Sequence, residues 1–394
     1  MHFLFVKQEL SFPRTSGHDV HCHGMMRALN EAGHQISLLT VGESTPNSIE
    51  GIQLRHKFQF DSGGDQSVET LELTKMQKKF CSYWGIPGNR ISEVATRTRD
   101  IGADVVVAVG LDVLPYLSLV KKAKRIWYAA DEWVIHHLSQ FSFRRRATWP
   151  NLKHAIIKGM YERSFASVVD RTWLVSERDA IWTRRVMPRT QTDVVPNGVD
   201  TQHYQAQKTD EANRSCVFWG RLDFGPNLDA VDWFCRNVWS DLRSKFADAK
   251  FTVLGFKPGE QIRRLASEFK FNLIVDQPDI RQNICAHQIV VLPFVSGAGI
   301  KNKLLEAASL SRPIIASSTA LNGVDTGSRN CIQSAKGKHQ WITEVSKLWS
   351  DPARRQRLGT QARDWVTEAY TWESAAQRVI HSLENGSFNG KDSR

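Results

Sequence analysis

The run Ser296-Gly297-Ala298-Gly299-Ile300-Lys301-Asn302-Lys303-Leu304-Leu305-Glu306 concentrates the residue types that hold an anion. Before it, Ile289-Val290-Val291-Leu292-Pro293 reads as a buried strand that stops at a proline. Two glycines at the turn let a ligand approach the backbone. The helix that follows offers unpaired N–H groups and the positive end of its dipole. Lys301 and Lys303 add point charges, and Glu306, one turn in, can accept sugar hydroxyls. A nucleoside diphosphate with its ribose fits this set; a solvated helix face would use the same residues.

Three further places carry chemistry. Gly220-Arg221-Leu222-Asp223 follows a predicted strand, and an arginine there can bridge diphosphate oxygens bidentately or form a surface ion pair. Pro13-Arg14-Thr15-Ser16-Gly17-His18-Asp19 follows the first strand. Gly17 opens a helix there, so its N–H can meet a phosphate, or the segment is a plain strand-to-helix turn with Asp19 in the first helical turn. Asp131-Glu132-Trp133 follows the strand Arg125–Ala130. A carboxylate at that point can orient a hydroxyl, stabilise a cationic transition state, or cap the next helix. His136 and His137 lie beside it and read as structural or solvated. Arg144-Arg145-Arg146 with Trp149, Lys153 and Lys158 suits anionic headgroups, a phosphorylated acceptor or plain solvent. The turn Pro196-Asn197-Gly198-Val199-Asp200 is a weak signal by itself. No Asp-x-Asp pair, H-E-x-x-H or His/Cys cluster occurs, so no metal or other cofactor is expected.

Strands and helices must alternate to place these loops. Predicted strands are His2–Lys7, Gln35–Val41, Gln53–Phe58, Asp104–Gly110, Arg125–Ala130 and Arg171–Ser176. A second series runs Ser215–Gly220, Lys250–Gly255, Leu273–Val275, Ile289–Pro293, Pro313–Ser317 and Cys331–Ser334. The apolar runs are continuous, as in parallel sheets covered on both faces. Cys22, Met25, Leu29 and Ala32 mark the buried stripe of a helix from Gly17 to Ala32, and Lys75–Arg99 reads as one basic helix. Thr201–Asn213 is the linker candidate. With 394 residues, 41% of them hydrophobic, the chain has the material for two domains. Two doubly wound α/β domains place ligands at the carboxyl ends of their strands.

The net charge of +11 and pI near 9.4 point to an anionic partner. Zinc-finger spacing and RNA-binding aromatic motifs do not occur, which weighs against nucleic acid. The six cysteines form no C-x-x-C pair, as expected of reduced thiols in a cytoplasmic protein. Met1-His2 runs straight into Phe3-Leu4-Phe5-Val6, so no signal peptide is expected, and the apolar runs are too short to span a membrane.

In order and spacing, these pieces resemble a GT-B glycosyltransferase of the large retaining family four, of the bacterial surface-polysaccharide type. The likeness runs through the Gly17 loop and Gly33-His34, Pro196-Asn197-Gly198-Val199-Asp200 and Phe218-Trp219-Gly220-Arg221. It continues in Pro226-Asn227-Leu228-Asp229-Ala230, the glycine-lysine-glutamate run, Asn322-Gly323-Val324 and Tyr370-Thr371-Trp372-Glu373. It implies two Rossmann-like domains facing a central cleft: 1–200 for the acceptor, 201–370 for the donor, and 371–394 crossing back as a helix with a frayed tail. The implied reaction is metal-independent, retaining transfer of a hexosyl group. The donor is UDP- or GDP-linked, and the acceptor a glycan or lipid-linked molecule, met in the cytoplasm or peripherally at the inner membrane.

Carried over by position, the donor-binding set is Gly17, Arg221, Gly299, Ile300, Lys301, Lys303, Leu305 and Glu306, with Asp131 and then Asp19 as catalytic carboxylates. Three positions depart from the pattern. Ala298 stands where many relatives have the first of two glutamates, Asn227 where they have a lysine, and Ala130 where they have a histidine. Lys301 or Lys303 is expected to supply the charge missing at 227, and the Ala298-Gly299 backbone to serve the transferred sugar. Rival readings are a nucleotide-sugar epimerase, a sugar phosphorylase, or a non-catalytic nucleotide-sugar-binding domain. Asp131→Asn is expected to abolish transfer in a donor-consumption assay; full activity would remove Asp131 from the catalytic set.

Overall fold

The computed structural model describes residues 1–10, 17–42, 49–60, 67–130, 134, 137–138, 149–297, 299–327 and 329–385. The chain forms two compact units, Met1–Pro196 with Trp372–Arg394, and Asn197–Thr371.

The first unit holds β1 (His2–Lys7), α1 (Gly17–Glu31), β2 (Gln35–Thr40), β3 (Leu54–Gln59), α2 (Lys75–Tyr83), α3 (Gly88–Asp100), β4 (Val105–Val109), β5 (Lys124–Ala130), α4 (Trp149–Phe165), β6 (Arg171–Leu174), α5 (Glu177–Val186) and β7 (Gln191–Val194). Its seven strands are parallel in the order β3-β2-β1-β4-β5-β6-β7. Successive side chains alternate between two apolar layers. Leu4, Val6, Val106, Ala108 and Trp127 meet Phe80, Ile91 and Tyr161 from α2, α3 and α4. Phe3, Phe5, Val105, Val107 and Tyr128 meet Cys22, Met25 and Leu29 of α1 and Trp372, Ala376 and Val379 of the last helix. Helices on both faces explain the continuous apolar runs. The edge strand β3 instead alternates half-buried and exposed residues.

Two local readings change. The span expected as one helix, Lys75–Arg99, is two. Gly85 takes a φ of +64° and Pro87 precedes α3, so the chain breaks between them. β7 escaped the sequence because Gln-Thr-Asp-Val carries no apolar run.

The second unit holds β8 (Ala212–Arg221), α6 (Gly225–Phe234), α7 (Ser240–Lys245), β9 (Lys250–Phe256), α8 (Glu260–Phe269), β10 (Asn272–Val275), α9 (Arg281–Cys285), β11 (His287–Leu292), α10 (Asn302–Ser309), β12 (Ile314–Ala316), β13 (Gln333–Ser334), α11 (Gly337–Ser350) and α12 (Pro352–Ala369). Its six strands are parallel in the order β10-β9-β8-β11-β12-β13. Val199 and Thr371 pair as a parallel bridge where the chain enters and leaves this unit.

In both sheets the direction of winding reverses, between β1 and β4 and between β8 and β11. Such reversals open a crevice at the carboxyl ends of the strands.

The last helix, α13 (Trp372–Asn385), belongs to the first unit and lies beside α1. Trp372 rests on Gly24, where an added Cβ would come within 2.2 Å of the indole. Farther along, Ser382 joins a buried pair: Arg171 Nη1 lies 2.9 Å from Asp193 Oδ1 and donates to Ser382 Oγ at 2.9 Å. The Ser382 hydroxyl donates to Asp193 Oδ2 at 2.7 Å. All six cysteines are buried and unpaired.

Ala within a helix is ordinarily better than Gly. Gly24→Ala is nevertheless expected to destabilise the protein by about 1–3 kcal/mol through overpacking, and Trp372→Ala by about 3–5 kcal/mol. Urea unfolding should find the double variant less destabilised than the sum, because the smaller side chain removes the clash.

Candidate functional site

The β8/β11 reversal in the second unit brings the carboxyl end of β8, Trp219-Gly220-Arg221, beside the segment after β11. β11 is fully buried and ends before Pro293, which has no N–H to continue the ladder. Gly297 and Gly299 then take φ values of +109° and +66°, which turn the chain into α10. Ala298, between them, lies outside the described residues.

Lys301 is the N-cap residue of α10, and its Nζ donates to the Gly299 carbonyl at 3.0 Å. Lys303 follows in the first turn. Its ammonium lies 5.8 Å from the ring centres of both Phe218 and Phe294, within cation–π range. Gly220 makes room for it. A Cβ there would lie 2.6 Å from Lys303 Cε, 2.7 Å from Nζ and 2.9 Å from Asn227 Nδ2, and the residue's φ is +149°. Burial, with the nearby charge of Lys301, lowers the Lys303 ammonium to about 8, while Glu306 pulls the other way.

Glu306 stands one turn farther along. Trp219 Nε1 donates to its Oε2 at 2.8 Å, and the Tyr204 hydroxyl also bonds to it. Burial raises Glu306 above the ordinary carboxylate range, against the pull of Trp219, Lys303 and Tyr204. Tyr204 is itself held by its carbonyl, which accepts from Ser309 Oγ and Arg363 Nη1, both at 2.8 Å. Asn197 pins the start of α10 from the other side, through its Nδ2 to Asn302 Oδ1 at 2.7 Å and to the Ile300 carbonyl at 3.5 Å.

Sequence reasoning named Lys303 and Glu306 without their partners. Trp219, Tyr204 and Asn197 are the residues it missed as site components. Trp219 and Asn197 sat inside quoted motifs, but the hydrogen bond each makes spans about a hundred residues of chain and has no local signature. Arg221 lies one residue past Gly220, with its Nε 2.7 Å from Asp223 Oδ1 and its guanidinium over the Phe224 ring. Asn227 is buried and donates to the Arg221 carbonyl at 2.8 Å. Ile300 and Leu305, both expected from the sequence to meet the donor, have buried side chains.

Gly17 and Asp19, expected from the sequence to act with this site, belong to the first unit, where α1 follows β1. Gly17 heads α1. Asp19 is buried, with its Oδ1 2.6 Å from Lys7 Nζ, and Lys7 also donates to the Glu9 carbonyl. Asp131, Glu132, Trp133, His136 and Arg144–Arg146 lie outside the described residues, as do Pro13–Ser16. Among the described residues no group of three or more His, Cys, Asp or Glu side chains is arranged to hold a metal ion, and no helix is long and apolar enough to cross a membrane.

The fold and this site define a class. Residues 213–351 match the family model described as glycosyl transferases group 1. This segment contains the β8/β11 reversal, Gly220, Lys303 and Glu306. The protein is a glycosyltransferase by this domain, and the fold of the whole chain is GT-B. Sucrose-phosphate synthase from Thermosynechococcus elongatus is similar over 98% of this chain and 100% of its own, with a TM-score of 0.71 and 14% identity. Anabaena HepE in complex with UDP is similar over 98% and 100%, with a TM-score of 0.67 and 14% identity. TarM from S. aureus, in a complex that includes UDP, is similar over 98% and 100%, with a TM-score of 0.68 and 10% identity. No curated protein matches the chain in sequence.

The lowered value of Lys303 has a consequence for stability. Its ammonium is held less well in the folded protein, at about 8, than in the unfolded chain, at 10.5. Between these values the unfolded state binds more protons, so this group's contribution rises with pH from about 8 to 10.5 and is at its least favourable below 8. Lys303→Met is therefore expected to unfold at higher denaturant than the parent at pH 7. The difference should shrink as pH rises through 8 toward 10.5, as read by urea titrations across pH.

Proposed function

We propose that the protein is a retaining, metal-independent family-four glycosyltransferase. It moves a hexosyl group from a UDP- or GDP-linked sugar to a glycan or lipid-linked acceptor in surface polysaccharide synthesis, in the cytoplasm and peripherally at the inner membrane. One observation carries the donor reading. The Lys303 ammonium lies over Gly220 at the strand reversal of the group 1 domain, one turn before a carboxylate already oriented by an indole and a phenol. A diphosphate oxygen would meet the ammonium, and ribose hydroxyls would meet Glu306.

The chemistry follows from charge. Loss of a nucleoside diphosphate from an anomeric carbon places negative charge on the departing oxygens, and fixed cations in a partly dry site stabilise it. Lys303 and Arg221 are the proposed cations, with Lys301 and the start of α10 beside them. Asn227 stands where many family members have a lysine, and the Lys303 ammonium crowds the same Gly220 that the Asn227 amide does. Lys303 therefore supplies the charge that Asn227 lacks. The Ala298-Gly299 main chain serves the transferred sugar. Of the two proposed catalytic carboxylates, Asp131 is preferred, because the Asp19 carboxylate is engaged by Lys7. The first unit takes the acceptor, and Gly17 approaches the donor phosphate.

The similarity to HepE, whose structure holds UDP, and to sucrose-phosphate synthase supports this reading. Isothermal titration with UDP and GDP is the direct test. One of them is expected to bind, with affinity falling as pH rises through about 8, where free Lys303 loses its proton. Lys303→Met should weaken binding about tenfold or more and flatten that pH dependence, as loss of a charged hydrogen bond requires. Binding indifferent to both the substitution and pH would refute the assignment of Lys303.

A further inference from the structure

We infer that the outer face of helices α2 and α4 is a docking surface for an anionic lipid bilayer. The two helices lie against one another in the first unit. Phe80 and Tyr161 meet edge to face beneath them at 5.3 Å, and Gln77 Nε2 donates to the Ser164 carbonyl at 2.9 Å. A capping box between Thr74 and Gln77 fixes the start of α2. Phe80 and Tyr161 are both buried at this contact.

What faces out is unusual for a surface. On α4 the exposed positions run Lys153, Ile156, Met160 and Arg163, spaced three or four residues apart along one stripe. Ile156 and Met160 are 56% and 48% exposed. On α2 the exposed positions include Met76, Lys79 and Tyr83, and Tyr83 is 69% exposed. Each helix thus interleaves large apolar side chains with cations. Glu162, the only carboxylate in the two helices, is fully buried. The carboxylates just before α2, Glu69 and Glu72, lie within 4.0 Å of Lys78 and Lys121.

Charge chooses the occupant. A second copy of the chain docked on this face would set one row of lysines against another. An acidic protein surface would satisfy the lysines but not the apolar side chains between them. An anionic bilayer takes both: apolar groups enter the headgroup–acyl boundary while lysine and arginine stems reach out to phosphates. No described helix can span a membrane, so contact of this kind is with the surface. This deepens the membrane side of the proposed function, and its test is independent of the donor site.

The test floats the full chain with vesicles of phosphatidylcholine alone or mixed equally with phosphatidylglycerol, at low and high salt. Binding is expected only to the mixed vesicles and should fall with salt. Two variants act on exposed positions, Lys79→Glu with Lys153→Glu, and Ile156→Ser with Met160→Ser. The charge variant should lose about 25-fold or more in partitioning, roughly fivefold for each lysine removed. The serine variant should also release the vesicles, and nucleoside diphosphate affinity should stay unchanged in both. The inference is overturned if the parent binds neither vesicle, binds both equally, or is matched by the variants. It is equally overturned if sedimentation shows that these residues hold a dimer of the chain.

Discussion

The site in the second unit depends on one close approach, the Lys303 ammonium laid on the backbone of Gly220. It is possible because two neighbouring strands both carry glycine at this level. Gly220 on β8 pairs in register with Gly255 on β9, and a Cβ on Gly255 would fall 2.0 Å from the Gly220 carbonyl. With both Cβ atoms absent, β8 and β9 can close up and the lysine can lie flat between Phe218 and Phe294. Burial there makes the ammonium unusually ready to give up its proton. A cation kept in that condition gains more from meeting an anion than one already bathed in water.

Much of the second unit serves to hold α10 in place for that contact. Asn197 fixes its first turn, and Arg363 reaches the Ser309 carbonyl at its end together with the carbonyls of Thr201 and Tyr204. Thr201 and Tyr204, at the start of the Thr201–Asn213 stretch that composition suggested as a linker, are therefore structural support rather than free chain. The first unit solves a similar problem with its last helix. Trp372 on Gly24 fixes where α13 begins, and the Arg171–Asp193–Ser382 group fixes its far end. Breaking a buried, hydrogen-bonded pair of that kind strands a charge, which is why such groups lock one arrangement.

The parallel sheets were legible because strands covered on both faces need continuous apolar runs, and residues 2–7, 105–109 and 287–292 have them. The glycine turn, the lysines and Glu306 were legible because they lie within eleven residues of chain. Where local signals were mixed, the reading erred. Lys75–Arg99 has helical composition throughout, yet Gly85 and Pro87 divide it. Gln191–Val194 has no strand composition, and becomes an edge strand because β6 offers it a ladder.

The sequence by itself determined the alternation of elements, the two sheets and the residue types at the anion turn, since these follow from periodicity, glycine placement and charge over short stretches. Only the tertiary structure decided which of those residues act together. Trp219 and Tyr204 converge on Glu306, Asn227 shares Gly220 with Lys303, and Lys7 engages Asp19. Hydrogen bonds, burial and the proton affinities they set depend on distances across strands that lie far apart in the chain. A row of residue types therefore cannot reveal that a lysine is half-dry, or that a carboxylate is already spoken for.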